Sequence, residues 1–206
     1  MFDHAAWNRQ FLAYYKQNGR YYSDVAGYGI SVQVVAGAQW RAIGLHHLTP
    51  SENVGKHNVY LDVLDENGKR LSNVKIGWTW VGRRPDEAAP PVVLDKPANE
   101  PAGNIALGMG QVVSVWVDGS LSDVVKGMHT GHADEIEPPM NFAGNTTGHH
   151  SYYVVFQRTG SGAPVIPVPT PTDCSQYIAK IGQLQTALID VQAILRSAME
   201  RINREM

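Results

Sequence analysis

The sequence predicts a mainly β protein: an antiparallel β-sandwich with a short N-terminal helix, a Pro-rich linker and a C-terminal α-helical coiled coil. Three observations predict it. Short apolar runs alternate with polar residues and are punctuated by Gly, Pro and Asn-Gly turns. The 20 glycines and 12 prolines of this 206-residue chain suit a turn-rich β domain better than a helical one. Past the last strand-like run the prolines cluster and then disappear, and apolar residues recur at steps of three and four. These changes divide the chain into an N-terminal helical and aromatic segment (1–26), a β-sandwich (27–158), a linker (159–172) and an oligomerisation helix (173–206).

A helix is expected from about Ala5 to Lys16, where Trp7, Phe11, Leu12 and Tyr15 fall on one face and Asn18-Gly19 provides a stop. Strand-like runs follow at residues 30–35 and 40–45, separated by Ala36-Gly37-Ala38. Residues 57–64 alternate, with Val59, Leu61 and Val63 on one face and Asn58, Tyr60 and Asp62 on the other. The Asn67-Gly68 pair then predicts a hairpin returning through residues 74–80, whose Val74, Ile76, Trp78 and Trp80 share a core-facing side. From Gly82 to Gly110 the density of proline predicts a long loop or edge region. Residues 111–117 resume a strand, Leu121 to His149 read as a second loop, and Tyr152 to Phe156 as the last strand.

The prolines at 164, 167, 169 and 171 favour polyproline II, a semi-rigid spacer. Asp173 and Gln176 have capping-box spacing. A heptad seam follows, with Ile181, Leu188, Leu195 and Ile202 at a and Tyr177, Leu184, Val191 and Ala198 at d. A helix set apart by a spacer buries such a stripe only against copies of itself. Ile178, Ile194 and Met199 widen the stripe and no Asn occupies the seam, which points to a homotrimer, with a dimer as the alternative.

Composition narrows the function classes. Net charge is −2 and no Lys/Arg cluster stands out, so a nucleic-acid partner is not expected. No apolar run reaches membrane-spanning length, and the N-terminus has no leader pattern. One cysteine, Cys174, excludes an intrachain disulfide framework. The eight histidines, including His46-His47, His57, His129, His132 and His149-His150, have no zinc-site spacing, so no metal or other cofactor is expected. Asp62, Asp65, Asp118 and Asp123 do not form an EF-hand loop. No nucleophile motif or phosphate loop is present, so the chain is not expected to be an enzyme. Trp78, Trp80 and Trp116, with Tyr152 and Tyr153, offer a sugar-stacking platform or, for those sharing a face with Val74 and Ile76, core filling. Tyr60, Tyr153, His129 and His132 are the candidate ligand-binding residues.

The phrases at 46–53, 58–68, 83–87, 94–104 and 148–156 (for example Gly148-His-His-Ser-Tyr-Tyr-Val-Val-Phe156) resemble a β-sandwich module of tailed-bacteriophage structural proteins and of accessory domains beside cell-wall hydrolases. The resemblance covers about residues 27–158. It implies an immunoglobulin-like or carbohydrate-binding-module-like sandwich that binds rather than catalyses, and it supplies no binding residues. The expectation is a homotrimeric virion protein, a capsid decoration, head-fibre or tail-fibre component. Its partners would be itself, other virion proteins and a host surface glycan. The alternative is a glycan-binding module of bacterial cell-wall recognition.

Overall fold

A computed structural model describes residues 2–130 and 149–159. Helix α1 (His4–Asn18) starts where the Asp3 side chain accepts the Ala6 N–H at 2.8 Å. It stops at Gly19, which takes φ +64° and returns its N–H to the Tyr15 carbonyl. The chain then builds β1 (Tyr22–Ser23), a 3-10 turn (Ala26–Tyr28), β2 (Ser31–Gln33), β3 (Trp40–His47), a one-turn helix α2 (Pro50–Asn53), β4 (Asn58–Leu64), β5 (Val74–Trp80), β6 (Val92–Leu94), β7 (Gly103–Ala106), β8 (Val113–Val117), β9 (Val124–Met128) and β10 (Tyr152–Arg158).

Two five-stranded sheets form, sheet A in the order β1-β3-β10-β4-β7 and sheet B in the order β2-β9-β8-β5-β6. The expected alternation in β4 sends Val59, Leu61 and Val63 inward. There they join Tyr152, Val154 and Phe156 of β10 and meet Ile76, Val113, Val115, Val117 and Val125 of sheet B in one core. Each such side chain contributes roughly 1.5–3 kcal/mol on burial. Trp78 and Trp80 pack at the margin of this core, half-buried, on the same side as Ile76.

The expected hairpin forms only at its tip. Asp65 Oδ1 accepts the Asn67 and Lys69 N–H groups at 2.9 and 2.8 Å, Gly68 takes φ +88°, and Leu64 bridges Arg70. The chain then changes sheets, leaving β4 between β10 and β7 and β5 between β8 and β6. The two apolar faces thus oppose each other across the core, about 10 Å apart, instead of lying side by side.

The expectation of a wholly antiparallel sandwich is also corrected. Sheet B is antiparallel throughout, but in sheet A β1 pairs parallel with β3 and β10 parallel with β4. β10 lies antiparallel to β3 and parallel to β4, so β3 and β4 themselves run in opposite directions. A strand inserted between two such strands must be parallel to one of them. Three strands occupy expected loops: β6 and β7 within 82–110, both at sheet edges, and β9 within 121–149. Edge strands tolerate flanking prolines because one row of their backbone groups needs no ladder partner.

The outer face of sheet A is covered by α1. Phe11, with no exposure, packs with Ile43, Leu48, Leu64, Tyr153 and Val155. Gly44 makes this docking possible, because a Cβ there would collide with the Phe11 ring. The linker and the seam residues Tyr177, Ile181, Leu184, Leu188, Val191, Leu195, Ala198 and Ile202 lie outside the described residues.

Candidate functional site

The two outer sheet faces differ, and the difference locates the site. On sheet A the polar groups of the outer face are bonded internally. Asp62, with no exposure, accepts at Oδ2 from His4 Nδ1 (2.9 Å), Asn8 Nδ2 (2.8 Å) and the Tyr153 hydroxyl (2.6 Å). At Oδ1 it accepts from the Ala102 N–H (2.7 Å) and Arg70 Nε (3.0 Å). Burial alone would raise the Asp62 pKa, but these donors hold it below the usual carboxylate value. Burial, then the charge of Asp62, drives the Tyr153 hydroxyl far up, so it stays a neutral donor.

Two of the candidate ligand residues lie on this face. Tyr153 does face away from the core, as the alternation predicts, but that face is roofed by α1 and Tyr153 has no exposed surface. Tyr60 sits on the same face, half-buried against Phe2 with ring centroids 5.4 Å apart. Tyr153 therefore presents no ring face to solvent, while Tyr60 stays partly exposed. His132 lies outside the described residues.

Histidines gather around one end of sheet A. His46 Nδ1 meets Asp24 at 2.6 Å and Nε2 meets Glu52 at 3.0 Å, and its ring stacks on Trp7 at 3.8 Å. Both ring nitrogens face carboxylates, so both carry protons. Burial would lower the pKa, but the Asp24 and Glu52 partners raise it. Glu52 is pushed down to about 2: its burial is outweighed by hydrogen bonds from the Thr49 N–H and hydroxyl, His46 and Trp7. His47 Nε2 lies 2.7 Å from His150 Nδ1, a bond that needs one neutral acceptor ring. Burial first, then the neighbouring His150, push His47 down to about 4.

His129 sits half-buried with its Nε2 at 3.3 Å from the Tyr28 carbonyl and its ring edge-on to His150. Among the described residues no three His, Cys, Asp or Glu side chains are arranged to hold a metal ion. The aspartates considered for a cation are dispersed: Asp65 caps the Asn-Gly turn, Asp123 pairs with Arg41 at 2.9 Å, and Asp62 lies under α1.

Sheet B presents the opposite arrangement. Its outer face carries an open groove of about 640 Å³. Trp116 lies across Gly77, where a Cβ would collide with the indole, so the ring rests along the sheet. The register sets Ser31 opposite Lys126, Lys126 opposite Ser114 and Ser114 opposite Thr79, a polar row across four strands. Gln33 lies opposite Val124 in the adjoining row. Val81 and Leu121, 73% and 59% exposed, form an apolar rim. Three of the other four tryptophans, all but Trp80, bond their indole N–H internally: Trp7 to Glu52, Trp40 to Ser120 and Trp78 to the Pro90 carbonyl. Among the described residues, the Trp116 N–H, the Gln33 amide, the Thr79 and Ser114 hydroxyls and the Lys126 ammonium have no such partner.

A surface of this kind, one flat aromatic ring among uncommitted donors and acceptors, suits a flat polar ligand. The sequence points to Trp116 as one member of a possible stacking platform but gives no reason to group it with Gln33, Thr79, Ser114 and Lys126. A signal was available. β8 reads Val-Ser-Val-Trp-Val, apolar on one side only, whereas β10 reads Tyr-Tyr-Val-Val-Phe, apolar on both. One-sided alternation marks a sheet with an open face.

No family model, no curated protein and no solved structure matches this chain.

Proposed function

We propose that this protein acts by binding rather than catalysis, as a homotrimeric structural component of a bacteriophage virion: a capsid decoration, head-fibre or tail-fibre protein. Its β-sandwich head would make contact through the open face of sheet B. The observation that supports this reading most directly is the contrast between the two outer faces. One is covered by α1 with its polar groups bonded internally, and the other carries, among the described residues, the open groove around Trp116 and a polar row crossing four strands. The expected coiled coil adds a physical advantage, since linked weak sites gain avidity through effective concentration.

The second reading, a glycan-binding module of cell-wall recognition without a virion, is favoured by the same indole and hydroxyl chemistry. The two differ in where the protein resides. Sedimenting phage particles from the producing cells and probing for the chain separates them: recovery with the particles is expected, and absence would remove the virion assignment. Solution mass tests the assembly. The full chain is expected to run as a trimer and a truncation after Thr159 as a monomer, and a monomeric full chain would sink the oligomer reading.

A further inference from the structure

We infer that the groove on sheet B binds an acidic saccharide chain, with one sugar ring stacked on Trp116 and its carboxylate directed to Lys126. The inference rests on the reading of this face as the contact surface and adds the chemical class of the occupant.

Four features of the groove lead there. First, the size fits. The polar row crosses four adjacent strands, from Ser31 to Thr79, and three strand spacings span about 14 Å. That width accommodates a short run of sugar rings and exceeds what a single ion needs. Second, the stacking surface fits. The indole of Trp116 lies along the sheet because Gly77 leaves room beneath it. A flat apolar ring face with a polar edge matches a pyranose, whose axial hydrogens form an apolar face and whose hydroxyls ring its rim.

Third, the hydrogen-bond inventory fits. Gln33, Thr79 and Ser114 supply an amide and two hydroxyls with no partner among the described residues. Hydroxyls and amides act as both donors and acceptors, which is what sugar hydroxyls require. An apolar protein or peptide face would leave them unsatisfied at the interface, at a cost in affinity. Fourth, the charge is one-signed. Among the described residues, Lys126 is the only charged side chain lining the groove, and no carboxylate lines it. Lys126 lies directly opposite Ser114, and Trp116 is two residues further along the same strand. Diagonal neighbours of this kind are about 7–8 Å apart, within reach of a carboxylate carried on a stacked ring. Charge complementarity therefore selects an acidic sugar over a neutral one.

The test is calorimetric titration of the full chain with oligogalacturonate, oligosialate and hyaluronan fragments, set against maltooligosaccharides and galactan oligomers as neutral counterparts. At least one acidic series is expected to bind about tenfold or more tightly than its neutral counterpart, and to weaken as salt screens the charge. Trp116→Ala is expected to weaken binding about tenfold or more, the scale of losing one ring-stacking contact, while Trp116→Phe retains most of it. Lys126→Gln is expected to reduce the acidic series to the neutral level with the melting curve unchanged, since Lys126 is exposed.

Equal affinity for acidic and neutral oligomers would overturn the inference while leaving the binding-face reading intact. So would binding that survives Trp116→Ala in a folded variant. Absence of binding to every acidic oligomer would overturn it as well. Particle sedimentation and solution mass judge the virion reading separately.

Discussion

Replacing Asp62 with Asn should unlock α1 from sheet A. The carboxylate is fully buried and receives donors at both oxygens: Ala102 N–H and Arg70 Nε at Oδ1, and His4, Asn8 and Tyr153 at Oδ2. An Asn amide must place its NH2 at one of these positions. Whichever it takes, at least two donors then face a donor, and Arg70 loses the charge opposite it. Hydrogen bonds to a charged group are worth about 1.5–3 kcal/mol each, and removing one member of a buried ion pair costs about 3–5 kcal/mol. The terms overlap, so the expected loss is about 3–5 kcal/mol, a large part of the usual 5–15 kcal/mol of a domain.

Urea unfolding of wild type and Asp62→Asn at neutral pH measures this loss, and amide exchange shows where it falls. Protection should drop first in α1. The pH dependence provides a second check with a defined sign. The folded-state pKa of Asp62 is depressed, so its contribution is complete above the unfolded value of 3.8 and is lost as pH falls through the lower folded value. The gap between wild type and variant should therefore close in strong acid. A loss below about 1 kcal/mol at neutral pH, or unchanged exchange in α1, would refute the account of Asp62 as the lock.

Three further outcomes are expected. Gly44→Ala should destabilise by about 1–3 kcal/mol, because its methyl meets the Phe11 ring. A melting curve tests this, and adding Phe11→Leu should recover part of the loss. His47, held at about 4 against an ordinary 6.5, should make the fold lose about 3 kcal/mol as pH falls from 6.5 to 4. His47→Gln should flatten that segment of the stability–pH curve, and an unchanged slope would refute the role of the His47–His150 contact. His46 has the opposite sign: its raised pKa gives stability that is complete below 6.5 and lost as pH rises through the folded value, which His46→Gln should abolish.

Much of the local structure was legible in residue patterns. The helix was expected from Ala5 to Lys16 and runs His4–Asn18, because an Asp cap, an apolar stripe and a Gly stop are all short-range signals. The inward face of β4 followed from simple alternation, and the Asn67-Gly68 turn formed where its φ preference required. The short strands β6, β7 and β9 were not legible, because three to five residues beside proline or glycine carry too little periodicity.

The sequence by itself determined that the chain is mainly β, that β10 would be apolar on both faces and that β8 would alternate around Trp116. Only the tertiary structure decided what those patterns meant. It inserted β10 between β3 and β4, placed β4 and β5 in different sheets, laid α1 over Tyr153 and set Trp116 in the open groove of sheet B. The physical reason is the range of the interactions. Caps, turns and alternation are settled within a few residues, whereas pairings such as Tyr153 with His46, or Asp62 with His4, join residues far apart in sequence. They form only when the burial of a shared core offsets the entropy of closing those long loops. A candidate ligand face depends on what remains uncovered after every such pairing is made, so it is among the last features a sequence reveals.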